Sequence, residues 1–337
     1  ALLFLAVTPG LVHISLYDPE PQVLAPLVRA AQPHLKPFEF QLVSDLHSEH
    51  LDADQVWTFP TLAPVLVLAG DVGCPQESKY GSFLVAMSIR YEQVFLLAGN
   101  HEFYGDRSYH MAKLRIQRTL QRLNLTNVMF MDRSSFRHSS GVRFLGVTLW
   151  SNIPTDKQPV VQRWVSDYHS IFKPDDGDLL DSAPEQLGHV LSILDQVVDS
   201  TSQANREEWH QKNARKIRGS RLMPADTTAL HLQDLAFLEA ELSVSDALNE
   251  TVVVLSHHTP VGNLGGVVFF PEEAEPLSPL SSFLGTDLRD LVERHPSVAV
   301  WGFGHTHQSC DFLYEFPSGR SVRFVSNQAG YPNELLS

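Results

Sequence analysis

Cysteine is scarce in this chain, which has 337 residues and only two cysteines, Cys74 and Cys310. Two cysteines do not provide a disulfide framework, and they do not provide a structural zinc site built on thiolates. The two Asn-x-Thr sequons, at Asn124 and Asn249, are short patterns that arise often by chance. We therefore expect a cytoplasmic protein rather than a secreted one.

Positive charge is also scarce, because 25 Lys and Arg residues stand against 39 Asp and Glu residues and the formal net charge is −14. Nucleic-acid backbones are bound by clustered Lys and Arg side chains, so a general nucleic-acid-binding surface is not expected. A phosphate ester remains acceptable as a substrate, because a bound metal ion can be the largest local charge in a site.

The N-terminal run ALLFLAV is too short for a transmembrane helix and lacks a basic n-region, so we expect no membrane association. Hydrophobic residues make up 43% of the chain and charged residues 19%, as in ordinary folded proteins. The length is sufficient for one large domain or two smaller ones.

Alternating strand and helix patterns predict an α/β domain. Short apolar runs rich in Val, Leu or Phe predict buried strands within residues 38–45, 63–71, 92–101, 142–150, 250–258 and 297–305. Apolar residues near helical spacing predict helices within residues 105–123, 183–198 and 230–242. The residues alone indicate a layered α/β fold and do not specify the number of sheets.

Two segments lie outside this regular pattern. We expect residues 1–37 to form an N-terminal extension that adds an edge strand and a helix, and residues 38–337 to form one domain. Within that domain, residues 151–229 begin with loop-like sequence and carry a basic cluster. This segment is predicted to be a mainly helical insertion, either a lid over a site or a solvated excursion.

Polar residues that can bind metals follow five of the predicted strands. In open α/β sheets, ligands bind beyond the carboxyl ends of the strands, so we expect these side chains to gather at one edge. In chain order they are Asp45 and His47, then Asp71, then Asn100, His101 and Glu102, then His257 and His258, then His305 and His307.

Each block alone has an ordinary explanation, since Asp, Asn and Gly are common turn residues and a single His is more often a surface or core residue. The five blocks together are hard to produce by chance. Imidazole nitrogen, carboxylate oxygen and amide oxygen, without a clear thiolate, are ligands that suit manganese, iron, zinc or cobalt. The sequence therefore predicts a metal centre, with the number of ions left open.

The pattern D-x-H, GD, GNHE, H and GHTH, which extends from Asp45 to His307, resembles the calcineurin-like metallophosphoesterase superfamily. The resemblance implies an αββα sandwich, in which two mixed sheets are flanked by helices and the metal site lies at the strand ends. It also implies two divalent metal ions and a phosphoester substrate.

The resemblance implies a role for each matching position. One cation would be held by Asp45, His47 and His307, the other by Asn100, His257 and His305, and Asp71 would bridge both. His101 would not bind metal but would stand over the scissile phosphate as proton donor. Beside these, His258 is expected to contact the ligands or the substrate, and Glu102 to orient the site or to contact the backbone.

The implied reaction is hydrolysis by a metal-bridging hydroxide, since two cations about 3.5–4 Å apart lower the pKa of a bound water and clamp the reacting oxygens. His101 would then protonate the leaving oxygen, which suits an imidazole near neutral pH. Asp45 and Asp71 are the only charged ligands of the set, so the site stays locally positive.

The motifs depart from two branches of the superfamily. GDVGCP replaces the GD-x-VDRG of protein Ser/Thr phosphatases, and Ala98 replaces the Arg of their RGNHE. Cys74 stands where purple acid phosphatases have a tyrosine; we expect a packed thiol there, with an approach to a metal left open. The LWS, DY and SNQAGYPNE segments resemble stand-alone, poorly characterised microbial and protist members.

No arginine beside the motifs matches the second charge of a phosphomonoester, so a small-molecule phosphodiesterase is predicted and a phosphomonoesterase is the alternative. Basic residues of the insertion would reverse this order if they folded over the cations: Arg206, Lys212, Arg215, Lys216, Arg218 and Arg221. A non-catalytic metal-binding scaffold is a third reading. It is disfavoured because His101 and every ligand position are filled.

Overall fold

The computed structural model of the protein describes residues 13–15, 38–52, 55–106, 108–174, 220–264, 267–268 and 281–331, and two β-sheets dominate it. The first sheet consists, in spatial order, of β1 (His13–Ser15), β2 (Glu39–Val43), β3 (Val65–Leu68), β4 (Gln93–Leu96) and β5 (Val128–Phe130). Strands β2 to β5 are parallel, and β1 pairs antiparallel with β2. The edge strand expected within residues 1–37 is therefore present.

The second sheet is also mixed. Its strands are β6 (Ser134–Arg137), β7 (Val142–Val147), β8 (Thr251–Ser256), β11 (Val298–Phe303), β12 (Cys310–Glu315) and β13 (Ser321–Ser326). The spatial order is β12-β13-β11-β8-β7-β6, and the four central strands run parallel while both edge strands run antiparallel. The hairpin of β9 (Asn263–Leu264) and β10 (Val267–Val268) stands apart from both sheets.

Helices connect the strands. They are α1 (Ser78–Arg90), α2 (Tyr109–Arg122), α3 (Gln158–Trp164), α4 (Asp167–Ser170), α5 (Pro224–Ala247), α6 (Ser281–Leu284) and α7 (Arg289–Arg294). Helix α2 begins where the Ser108 hydroxyl accepts a hydrogen bond from the Met111 N–H, an ordinary N-cap. None of the helices in the described ranges combines the length and the apolarity that crossing a bilayer requires.

Side chains that alternate along the strands build the layers of the sandwich. In β3, Val65 and Val67 pack between the two sheets, whereas Leu66 and Leu68 pack against α1 and α2. In β8, residue 253 likewise faces the other sheet, and its neighbours at 252 and 254 pack against α5 and α7. The order helix, sheet, sheet, helix confirms the predicted αββα sandwich of two mixed sheets.

The carboxyl ends of β2 and β3 stay paired beyond the strands themselves. The Asp45 N–H donates to the Gly70 carbonyl at 3.0 Å, and the His47 N–H donates to the Asp71 carbonyl at 2.9 Å. On the other side, the Ser44 N–H donates to the carbonyl of residue 327, which follows β13 in the second sheet. The two sheets are thus joined at the edge where the polar blocks lie.

Part of the predicted insertion lies outside the described residues. This applies to the helix predicted within residues 183–198 and to five of the six basic residues, Arg206, Lys212, Arg215, Lys216 and Arg218. The sixth, Arg221, is described, and its guanidinium lies over the Phe172 ring at 4.3 Å from the centroid. The division of the chain into an extension, a domain and an insertion remains a prediction.

Candidate metal centre

Two clusters of His and Asp side chains, all buried except the partly exposed His307, lie at the joined edge of the sheets. The first cluster contains Asp45, His47 and His307, and the second contains Asp71, His257 and His305. Within each cluster, one ligand atom from every residue lies within 4.8 Å of the ligand atoms of the other two residues. The structure therefore brings six of the seven predicted ligands into two groups, and the seventh, Asn100, lies beside the second.

Imidazole nitrogens face each other in the first cluster. His47 Nε2 is 3.0 Å from His307 Nε2, which is 3.6 Å from Asp45 Oδ1. His47 Nδ1 is 3.1 Å from Glu49 Oε1. Because a carboxylate accepts from the Nδ1–H, the tautomer of His47 with its proton on Nδ1 presents a lone pair on Nε2, as a metal-binding imidazole does.

The second cluster surrounds His257. Its Nδ1 donates to the Ala69 carbonyl at 2.8 Å, so Nε2 of the neutral ring carries the lone pair. That Nε2 lies 3.1 Å from Asn100 Oδ1 and 3.4 Å from Asp71 Oδ2, two oxygens that also carry lone pairs. Burial lowers the pKa of His257, but the Asp71 charge outweighs it and raises the pKa to about 10. A positive charge is therefore favoured at this point.

His305 completes the second cluster. Its Nε2 is buried and has no hydrogen-bond partner among the described residues. Burial, followed by the charges of His258 and His257, lowers the pKa of His305, so the ring stays neutral. An orphaned buried nitrogen is costly unless something binds it, and a divalent cation fits this donor set.

Asp71 lies between the clusters. Its Oδ2 is 3.4 Å from His257 Nε2 in one cluster and 3.7 Å from His47 Nε2 in the other. Burial would raise the pKa of Asp71, but the charges of His257 and His101 outweigh it and hold the pKa well below the ordinary value. An ionised carboxylate in this position can serve both clusters at once.

The loops that carry the ligands have an uncommon backbone conformation. A left-handed φ, rare for residues other than Gly, occurs at Asp45 (54°), His47 (43°), Asp71 (50°), His305 (74°) and His307 (52°). Each such residue costs roughly 1–2 kcal/mol of steric strain. Surrounding hydrogen bonds must therefore hold these loops in place.

Glu102 supplies several of those hydrogen bonds. Its buried carboxylate accepts from the backbone N–H groups of Asp71 (2.9 Å), Val72 (2.7 Å) and Gly99 (2.7 Å). These donors belong to the loops after β3 and β4. Glu102 therefore contacts the backbone, and it orients the site through that contact.

Two glycines leave room for the carboxylates. A Cβ at Gly99 would lie 2.2 Å from Asp71 Oδ1, and a Cβ at Gly304 would lie 2.7 Å from Asp45 Oδ2. Gly302 is different, because a Cβ there would meet leucine side chains between the sheets. Gly302 therefore belongs to the core between the sheets and does not make room for the metal site.

His101 stands beside the first cluster. Its Nδ1 is 3.0 Å from Glu49 Oε1, its Nε2 is 3.1 Å from the Tyr331 hydroxyl, and its ring stacks on Tyr104. Burial lowers the pKa of His101, but the charges of Asp71 and Glu49 outweigh it and raise the pKa to about 9. A protonated imidazole is therefore stable here.

Asn100 has a fixed orientation. Its Nδ2 donates to Asp167 Oδ1 at 2.8 Å, so its Oδ1 is the atom that faces His257. Asp167 also accepts from the Tyr104 hydroxyl. A carboxylate in this position keeps the amide oxygen directed toward the second cluster.

Two further residues named from the sequence lie outside the clusters. His258 is buried, its ring centroid is 4.1 Å from that of His305, and its Nδ1 faces the Thr148 carbonyl at 3.3 Å. Burial lowers its pKa well below the ordinary value. Cys74 belongs to neither cluster, and burial raises the pKa of its thiol to about 11.

Glu49, Asp167 and Tyr331 contact the site but were not identified from the sequence. Glu49 follows His47 by two residues, and its carboxylate is shared by two histidines. Asp167 and Tyr331 lie in the DY and SNQAGY segments, which carried a resemblance but no assigned role. Only the folded chain brings them near His101 and Asn100.

This arrangement is typical of metal-dependent phosphoesterases. A sequence model of the calcineurin-like phosphoesterase family matches residues 40–309, and the chain belongs to that family. The family implies divalent metal ions and phosphoester hydrolysis.

Other proteins are similar over most of the chain. An uncharacterised protein of Acanthamoeba polyphaga mimivirus is 24% identical over 307 residues, which are 87% of this chain and 91% of that protein. The phosphopantetheinyl hydrolase of Mycobacterium tuberculosis has a TM-score of 0.52 at 18% identity, over 88% of this chain and 90% of that one. A dimetal phosphatase from Danio rerio has a TM-score of 0.42 at 16% identity, over 86% of each chain. The first of these structures shares the fold.

Proposed function

We propose that the protein hydrolyses small phosphoesters with two divalent cations. The first cation is assigned to Asp45, His47 and His307. The second is assigned to Asn100, His257 and His305, and Asp71 is assigned to both. The position of Asp71 Oδ2, within 3.7 Å of imidazole nitrogens from both clusters, carries this assignment.

The ligand chemistry favours manganese, iron, zinc or cobalt, because the donors are imidazoles, carboxylates and an amide oxygen. When bound, two such cations polarise the phosphoryl oxygens and make water a competent nucleophile at neutral pH. Asp45 and Asp71 supply two negative charges against four positive charges, so an anionic substrate is attracted.

His101 is assigned as the proton donor. Glu49 accepts from its Nδ1, which leaves Nε2 as the nitrogen that faces the substrate. Water attacks phosphorus, the ester P–O bond breaks, and the leaving oxygen takes the proton from Nε2. The raised pKa of His101 supports this role, because the imidazole carries the proton at neutral pH.

Glu49 is assigned as a positioning residue. It accepts from Nδ1 of both His47 and His101, and so sets the ring orientation of a ligand and of the proton donor with one carboxylate. Burial raises the pKa of Glu49, but the hydrogen bonds from the two histidines outweigh it and lower the pKa to about 2. Glu49 therefore stays ionised.

A small-molecule phosphodiester is the favoured substrate. Among the described residues, the side chains that contact His101 are imidazoles, tyrosines and the carboxylates of Glu49 and Asp71, and none of them is a guanidinium that would neutralise a second phosphoryl charge. A diester monoanion needs no such partner. A phosphomonoester is the second candidate, and a non-catalytic metal-binding scaffold is the third.

Hydrolysis of bis(p-nitrophenyl) phosphate and p-nitrophenyl phosphate by the manganese-loaded protein tests the proposal. We expect both to be hydrolysed, with a higher kcat/KM for the diester. A higher value for the monoester would reverse the preference. Activity on neither ester, with two metal ions bound per chain by elemental analysis, would refute the enzyme and favour the scaffold.

A further inference from the structure

Tyr331 lies over the proposed metal site from the C-terminal side. Its ring centroid is 4.4 Å from that of His47 and 4.6 Å from that of His307. Its hydroxyl is 3.1 Å from Nε2 of His101. The same tyrosine therefore contacts two proposed ligands and the one nitrogen that is assigned to proton donation.

The backbone that carries Tyr331 is held on two sides. The Ala329 N–H donates to the Ser44 carbonyl at 3.0 Å, beside the end of β2. The Gln328 side chain accepts from the His307 N–H at 2.5 Å and donates to Thr306 Oγ1 at 2.8 Å. The hydroxyl thus comes from a segment fixed to both sheets, and its position beside His101 is built into the fold.

The distance between His101 Nε2 and the Tyr331 hydroxyl determines whether both groups can donate to one oxygen atom. An oxygen about 2.8 Å from His101 Nε2 and from the Tyr331 hydroxyl forms a nearly equilateral triangle with them, because the donors are themselves about 3 Å apart. The leaving oxygen of a phosphoester has lone pairs for both. The oxygen that receives the His101 proton therefore lies within reach of a second donor.

We propose that Tyr331 is a catalytic residue that donates a hydrogen bond to the leaving oxygen while His101 protonates it. This proposal rests on the proposed function and deepens it. As the P–O bond breaks, its electron pair moves to the leaving oxygen, which takes the proton of His101 Nε2. Tyr331 keeps its own proton and stabilises the developing charge.

The pair of donors favours one class of substrate. A nitrophenolate is a stable leaving group and needs little help, whereas an aliphatic alkoxide needs both a proton and stabilisation of its developing charge. Two converging donors are therefore suited to esters of aliphatic alcohols. The natural substrate is inferred to be a phosphoester of such an alcohol.

Tyr331→Phe tests the proposal with methyl aryl phosphates whose phenols range from p-nitrophenol to unsubstituted phenol. The manganese-loaded variant should lose on the order of 100-fold in kcat with the phenol ester and about 3-fold or less with the nitrophenol ester. A loss of the same size for every leaving group would overturn the proposal. A gain in activity would overturn it as well, and would make Tyr331 a barrier to the substrate.

Tyr104→Phe is the matched control. Tyr104 stacks on His101, but its hydroxyl binds Ser166 and Asp167 and does not reach Nε2. Removal of that hydroxyl should change kcat by the same factor for every ester of the series. A leaving-group dependence as steep as that of Tyr331→Phe would show that the effect is not specific to the Tyr331 hydroxyl, and would overturn the assignment.

Affinity for inorganic phosphate provides a measurement that needs no turnover. An oxygen of phosphate takes the place of the leaving oxygen, so manganese-loaded Tyr331→Phe should bind phosphate about 5-fold or more weakly than the parent protein by calorimetry. Equal affinity would overturn the role of Tyr331 even if no ester were hydrolysed. Absence of hydrolysis by the metal-loaded parent protein, by contrast, would refute the proposed function itself.

Discussion

His47 and His307 place their Nε2 atoms 3.0 Å apart, although 260 residues separate them in the chain. His47 follows β2 of the first sheet, and His307 follows β11 of the second. Two imidazoles directed at one point, beside the Asp45 carboxylate, form half of a site that only the stacked sheets can assemble. The other half, around His257, likewise combines residues that follow strands of both sheets.

The neighbours His257 and His258 should differ in metal binding. His257→Asn removes a nitrogen that faces Asp71 and Asn100, so the second cation should be lost or bound about 10-fold to 100-fold more weakly. His258→Asn should keep both cations, because the Nδ1 of His258 faces the Thr148 carbonyl. Elemental analysis of the two purified folded variants checks this, and equal metal content would contradict the assignment.

Asp71→Ala and His101→Ala should both lose most or all of their activity, for different reasons. Loss of the Asp71 carboxylate should release metal as well as abolish turnover, because this oxygen lies between the clusters. Loss of His101 should lower kcat by about 100-fold to 10,000-fold with both cations still bound. Metal content and kcat measured on the same samples separate the two, and full metal occupancy in Asp71→Ala would exclude a bridging role.

Glu49→Gln should shift the pH dependence of turnover. The assigned proton donor, His101, would act only when protonated, so we expect kcat to fall as the pH rises through its pKa, which the charges of Asp71 and Glu49 raise to about 9. Without the Glu49 charge that pKa falls, and the alkaline limb of the profile should move to lower pH. The control is Glu77→Gln, since Glu77 pairs with Lys79 and not with these histidines. An unmoved limb in Glu49→Gln would contradict the charge argument.

Glu102→Gln should destabilise the fold even without metal. The Glu102 carboxylate accepts from several buried backbone N–H groups. In Glu102→Gln, the side-chain NH₂ group would face at least one of these N–H groups and could not accept its hydrogen bond. We expect a loss of about 2–4 kcal/mol in the free energy of unfolding by urea. The control is Glu239→Gln, because Glu239 forms an exposed ion pair with Arg294. The free energy of unfolding of this variant should stay within about 0.5 kcal/mol of that of the parent protein. Similar losses in both variants would contradict the special role of Glu102.

The sequence predicted β2, β3, β4, β7, β8 and β11, but it did not predict β13, a central strand of the second sheet, or the edge strands β5, β6 and β12. Strand β3 is apolar at every position, and β8 is apolar at its four central positions, because both faces of these strands are covered. Strand β12 alternates buried and exposed residues, and β6 is only partly buried, so neither has that signal. Helix α1 was also missed.

The site residues that directly follow a buried strand could be predicted from the sequence. The residues that reach the site only through tertiary contacts could not. Asp45, Asp71 and His257 each come directly after a buried run. Asp167 and Tyr331 come from a short helix and from a C-terminal segment, and no local pattern connects them with His101 or Asn100. Their roles follow from distances that no sequence spacing encodes.

Each proposed cation takes ligands from both sheets: the first joins the loop after β2 to the loop after β11, and the second joins the loops after β3 and β4 to those after β8 and β11. Neither sheet holds a complete set, so the centre forms only after the sheets have packed. Cations bound there would act as reversible cross-links between the two halves of the sandwich. Since they bind the folded chain and not the unfolded one, the folded fraction should depend on the supply of free metal.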